Sequence, residues 1–157
     1  MPERLNYTAA FPEGFNAMQN IERALRSSGV DHALADLMKI RASQLNGCAY
    51  CLDMHTKDAR ARGESEQRIY ALDAWRETPF FTTRERSALA WTEALTNIQQ
   101  GHAPDAAFQD ALREFGEAEL VKLTFVITQI NAWNRLAIAF RAEPGNYQPK
   151  AHAAAAS

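Results

Sequence analysis

The chain has 157 residues, 46% of them hydrophobic and 23% charged, with a net charge of −2 and a pI near 6.1. That length suits one domain, and the composition excludes disorder over most of it. The near-neutral charge leaves no electrostatic footprint for nucleic acid or an anionic membrane, and no apolar run is long enough to span a bilayer. The N-terminal stretch carries charge early and lacks an apolar signal core, so a cytoplasmic location is expected. Two cysteines three residues apart make no disulfide framework and point instead to redox or metal chemistry.

Strand signals are nearly absent while helix punctuation recurs, which predicts an all-α fold. After Pro12 and Gly14, the residues Phe15, Met18, Ile21 and Leu25 share one face, and Gly29 supplies a stop. Asp31 is a good cap for a helix running to Leu45, which Asn46-Gly47 then breaks or re-aims. A helix is expected from Cys48 to about Arg62, ended by Gly63, and another through Ile69, Leu72 and Trp75 that closes before Pro79. Thr82-Thr83-Arg84-Glu85 matches the reciprocal capping box ahead of the stripe Ala88, Trp91, Leu95 and Ile98. Pro104 suits a first helical position, with Phe108, Ala111, Leu112 and Phe115 following before Gly116. The longest helix is expected from Glu117 to Arg141, apolar on several faces and therefore central or at a subunit contact. Residues 1–142 form the expected single domain, and 143–157 read as a mobile tail. Ser43-Gln44-Leu45-Asn46-Gly47 is echoed by Thr128-Gln129-Ile130-Asn131-Ala132, a five-residue match that hints at a duplicated helical unit.

The chemistry concentrates at Cys48, Cys51 and His55. Spacings of three and four place the three side chains on one helix face, with the cysteines close enough to form a disulfide. Thiolate is the reactive form, and a free thiol near pKa 8.5 offers little of it at neutral pH. The break at Asn46-Gly47 puts both sulfurs in a first helical turn, where unpaired amides and the dipole favour an anion. His55 can take up the proton, or favour the anion if it is itself charged. Asp36, on the preceding helix, is a candidate to orient that histidine.

Other readings exist for each of these residues. Two helical cysteines can be small core residues. A zinc site is the sharper rival, but the chain offers Cys48, Cys51 and His55 with no second paired motif, leaving a fourth ligand to Asp36, His32, His102 or a partner chain. Asp36 can equally be a solvated helix residue, and His102 a loop or capping histidine. Trp91 and Trp133 read as core or interface aromatics, and Arg41, Arg135 and Arg141 as surface charge. Arg135 in Trp133-Asn134-Arg135 is also a candidate to hold two helices together.

The stretch from Ile40 to His55, IRASQLNGCAYCLDMH, resembles the alkyl hydroperoxidase D-like (AhpD-like) proteins of the carboxymuconolactone decarboxylase superfamily. The resemblance extends to Glu85–Leu95 and Ile130–Leu136 and so covers most of residues 15–141. It implies an AhpD-like helical bundle, with the C-x-x-C motif at a helix N-terminus, that assembles through long helices as a homotrimer or homohexamer. It also implies reduction of alkyl hydroperoxides or hydrogen peroxide without metal, haem or other cofactor, with an external dithiol as reductant. Cys51 matches the attacking cysteine, Cys48 the resolving one, His55 the proton relay, and Asp36 the position of a family glutamate. Two departures bear on the rate: aspartate is one methylene shorter than glutamate, and Tyr50 stands where some relatives carry a histidine. Decarboxylase activity, which gives the superfamily its name, is not organised around such a cysteine pair and is disfavoured. A thiol–disulfide sensor or binding module without peroxide turnover is the alternative that uses the same residues.

Overall fold

The computed structural model describes residues 2–149, and among them seven α-helices and two short 3-10 turns occur with no strand. The α-helices are α1 (Tyr7–Ala10), α2 (Pro12–Arg26), α3 (His32–Asn46), α4 (Ala49–Ala61), α5 (Glu66–Ala71), α6 (Thr83–Thr96) and α7 (Asp105–Phe140). The all-α expectation therefore holds. Local chemistry sets the boundaries. Asp31 caps α3 by accepting from the Ala33 amide at 2.9 Å. Thr82 and Glu85 close the expected capping box, the Glu85 amide donating to Thr82 Oγ1 and the Thr82 amide to Glu85 Oε2.

Three elements differ from the sequence pattern. The short α1 was not foreseen; Asn6 starts it by accepting from the Thr8 and Ala9 amides. Leu72–Glu77 is a tighter 3-10 turn that carries Leu72 and Trp75 into the core. Pro104 caps α7 from just outside it, and Gly116, at φ +66°, interrupts that helix between the two expected segments.

The helix buried on every side is α3. Leu37 and Ile40 pack with Leu72 and Leu89, whereas Leu34 and Met38 pack with Ala88, Leu123 and Ile127. Each fully buried aliphatic side chain of this kind contributes about 1.5–3 kcal/mol. The long α7 lies across α3 and α6 and leaves Val121, Phe125 and Ile138 exposed on its outer side. Where α3 and α7 meet, Asn46 and Asn131, the matched asparagines of the internal echo, hydrogen-bond each other at 2.9 Å.

Part of the segment expected to be a mobile tail lies against α4. Tyr147 donates to Asp58 Oδ1 at 2.7 Å, Lys57 donates to the carbonyls of Gly145 and Tyr147, and the Gly145 amide donates to Asp53. The remainder of that segment, 150–157, lies outside the described residues.

Candidate active site

Gly47 ends α3 in the left-handed conformation, at φ +68°, which favours glycine because it has no Cβ to clash. The chain then turns directly into α4, with Cys48 as its cap residue and Cys51 in its first turn. The Cys48 sulfur accepts from the Cys51 amide at 3.3 Å. The two cysteines are paired as a disulfide with Cα atoms 5.4 Å apart, inside the usual range. Both are buried, at 1% and 2% exposure, against Ala42 of α3, Ile130, Trp133 and Ala137 of α7, and Ala142 beyond it.

His55 follows Cys51 by one turn on the same face and is 6% exposed. Burial, together with the charges of Lys39 and Arg62, pushes its pKa down to about 3. The ring is therefore neutral across the physiological range. Of the two roles open to it, that of a charged partner for a thiolate is disfavoured, and that of a neutral proton carrier remains.

Asp36 is not a solvated helix residue. It is 7% exposed, and its Oδ2 accepts from Arg62 Nη1 at 2.5 Å, an ion pair joining the start of α3 to the end of α4. Desolvation raises its pKa, with the Arg62 guanidinium opposing the rise. The partner found for Asp36 is thus Arg62 and not the expected His55. A cleft of about 350 Å³ opens beside this pair, lined by Asp36, Ala59, Arg62 and Arg68 among others, one helical turn beyond His55.

The family model for the carboxymuconolactone decarboxylase family matches residues 9–94, more than half of the chain. The uncharacterized protein YdfG of Bacillus subtilis (strain 168) is 42% identical over 139 residues, covering 88% of this chain and 95% of that one. The chain belongs to the carboxymuconolactone decarboxylase family. Within it, the fold matches AhpD-like structures. One is ATU0492 from Agrobacterium tumefaciens, a protein of unknown function described as a candidate antioxidant defence protein AhpD. Its TM-score is 0.89 at 44% identity, covering 93% of this chain and all of that one. Another is an alkylhydroperoxidase AhpD core, an uncharacterized peroxidase-related protein from Ralstonia eutropha JMP134. Its TM-score is 0.76 at 18% identity, covering 89% of this chain and 75% of that one.

In this AhpD-like bundle, several residues that frame the site escape the sequence reading. Glu22, on α2, is 8% exposed, and its carboxylate accepts from Lys39 Nζ and from the Trp133 indole, each at 3.1 Å. A charged pair at 22 and 39 spans two separate helices, so no spacing rule could flag it; the one available sign was a lysine inside an otherwise apolar run of α3. Asn134, fully buried, donates to Ser43 Oγ and accepts from Asn46, fixing α7 behind the Gly47 turn. Arg135, the candidate helix clip, bonds among the described residues only to Asn131 of its own helix, because its long side chain turns outward. Arg41 is not surface charge: it is 8% exposed and bonds Glu93, Gln44 and Asp73 away from the cysteines. Among the described residues no three His, Cys, Asp or Glu side chains gather as a metal-binding group.

Proposed function

We propose that this protein is a thiol-dependent peroxidase that reduces alkyl hydroperoxides or hydrogen peroxide through Cys51, Cys48 and His55. The observation that carries the reading is the disulfide-paired Cys48 and Cys51 at the entrance of α4 with His55 one turn along the same face. In the reduced protein, the Cys51 thiolate attacks the terminal peroxide oxygen. The O–O bond breaks, the departing alkoxide or hydroxide takes a proton delivered through His55, and Cys51 becomes a sulfenic acid. The Cys48 thiol displaces that hydroxyl, forming the disulfide and releasing water. An external dithiol then attacks the disulfide through a mixed intermediate, returning both thiols and leaving itself oxidised. Neither metal nor haem takes part. The position of both sulfurs at the N-terminus of α4, Cys48 as its cap and Cys51 in its first turn, supports thiolate formation, since the free amides there lower a thiol's pKa.

Asp36 belongs to this reading as the distant end of the proton path, acting from the cleft through its pairing with Arg62. The apolar exposure of Val121, Phe125 and Ile138 supports assembly as a homotrimer or homohexamer through α7. A cytoplasmic location supplies the reducing conditions the cycle needs.

One observation favours a second reading, a redox sensor with little turnover: both sulfurs are almost fully buried, which slows attack by an external thiol. Following peroxide consumption with a dithiol present separates the two. Peroxidase chemistry requires rapid consumption by the wild type and its loss in Cys51→Ser. Equally slow consumption by wild type, Cys51→Ser and Cys48→Ser, while the wild type still forms the disulfide, leaves only the sensor.

A further inference from the structure

Two buried charges beside the site have no part in the mechanism above. Glu22 and Lys39 form an ion pair at 3.1 Å, with side chains 10% and 16% exposed. Burying such a pair is costly unless the remaining hydrogen-bonding capacity is met, and here the second carboxylate oxygen accepts from the Trp133 indole. Trp133 in turn packs against the cluster that contains Cys48 and Cys51. The pair is therefore wired to the sulfur pocket through a side chain that forms its wall.

Lys39 is also placed opposite His55. The α3–α4 hairpin turns at Gly47 and is tied at its far end by Asp36 and Arg62, so the two helices run antiparallel side by side. Lys39 and His55 each lie eight residues from Gly47, which puts both about 12 Å along their helices from the turn. Ala42, one turn from Lys39 toward Gly47, touches the cysteine cluster directly.

We propose that Lys39 is a positioning residue of the redox site, a fixed cation anchored by Glu22 that faces His55 across the α3–α4 hairpin and favours negative charge at Cys51. A neutral histidine cannot offer the positive charge a thiolate needs. Lys39 supplies it without carrying a proton that must be lost during the cycle. Glu22 sets where the ammonium sits and prevents it from turning out to solvent. The charges that bear on His55 are those of Lys39 from α3 and Arg62 from α4, the latter held in place by Asp36. The residues of α7 packed on the cysteine cluster (Ile130, Trp133 and Ala137) carry none.

The proposal rests on His55 as the proton carrier, but its test needs no peroxide, so the two can fail separately. The titration of His55 is followed by NMR in the intact protein, with the signal assigned through His55→Gln among the four histidines. In Glu22→Gln/Lys39→Met, which removes both charges and leaves none buried alone, the His55 midpoint rises by about one pH unit or more. In Lys39→Arg it stays within a few tenths of a unit of wild type. Alkylation of reduced Cys51 at pH 7 slows about tenfold in the double variant and not in Lys39→Arg, as expected if its thiol pKa rises by about one unit. Should the double variant fail to fold, Glu22→Gln/Lys39→Gln, which also removes both charges but keeps a polar side chain at each position, makes the same comparison. An unchanged His55 midpoint in a folded variant lacking the ammonium overturns the proposal.

Discussion

The Asp36 carboxylate is held 2.5 Å from the Arg62 guanidinium, across the open end of the hairpin whose closed end carries the cysteines. The bond fastens α4 to α3 at one end as the Gly47 turn does at the other, and His55 lies between them. Removing one partner of a mostly buried pair strands the other. Arg62→Met is expected to cost about 2 kcal/mol, less than the roughly 3–5 kcal/mol for a fully buried pair because Arg62 is partly solvated. Asp36→Asn strands only Arg62, the more exposed partner, and keeps a side-chain oxygen to accept from it, so it costs less. Urea denaturation of both variants at pH 7 checks the order, and equal losses would mean the pair acts only through packing.

Acid sensitivity follows from the buried histidine. The unfolded chain binds a proton at His55 near pH 6.5, whereas the folded protein does so only near pH 3. Between those values the unfolded state holds more protons, so stability is fully present above pH 6.5 and falls as the pH is lowered. The loss attributable to this residue approaches about 1.4 kcal/mol per pH unit. Denaturation at pH 7.5, 6 and 5 for wild type and His55→Gln isolates it, because the carboxylate contributions cancel in the difference. The wild type loses more stability than the variant at each acid step; parallel curves would place His55 in contact with water.

Asn134 is a fully buried polar side chain joining α3 to α7. It links Ser43 and Asn46, and Asn46 also reaches Asn131. Asn134→Ala removes two buried hydrogen bonds and opens a small void, for an expected loss of about 2–3 kcal/mol. A parallel Arg135→Ala, at an exposed side chain bonded to Asn131 of its own helix, is expected to cost under about 0.5 kcal/mol. Thermal melts of the pair measure the contrast.

Gly47 has open space where a Cβ would point, so only its backbone conformation resists substitution. Gly47→Ala is expected to cost about 1 kcal/mol, with Gly47→Asn less affected because asparagine tolerates the left-handed region. Melting temperature reports the order. A loss several times larger would show that the turn also holds the Cys48 cap in register.

The residues legible from sequence were those whose role is encoded locally. The Asn46-Gly47 break, the Asp31 cap and the Thr82–Glu85 box each lie within a few residues, and each is found as read. Partners drawn from distant helices were not legible. Asp36 is twelve residues from Cys48, but its bond goes to Arg62 because the antiparallel hairpin brings the start of α3 to the end of α4. Glu22 could not be joined to Lys39 and Trp133 without knowing that α2 packs on α7 with Glu22 in reach of α3. The Asn46–Asn131 contact is an intermediate case: the echo was visible as a repeat, while its meaning as a pairing of the two copies needed the packing.

The central claim is that Cys51 carries the peroxide oxygen before Cys48 displaces it. The direct test is Cys48→Ser treated with one equivalent of hydroperoxide in the presence of a sulfenic acid trap, with peptide mapping by mass spectrometry. A single adduct on Cys51, absent in Cys51→Ser, is the predicted outcome. An unlabelled Cys51 in folded Cys48→Ser, under conditions where the wild type still loses two hydrogens to its disulfide, would contradict it.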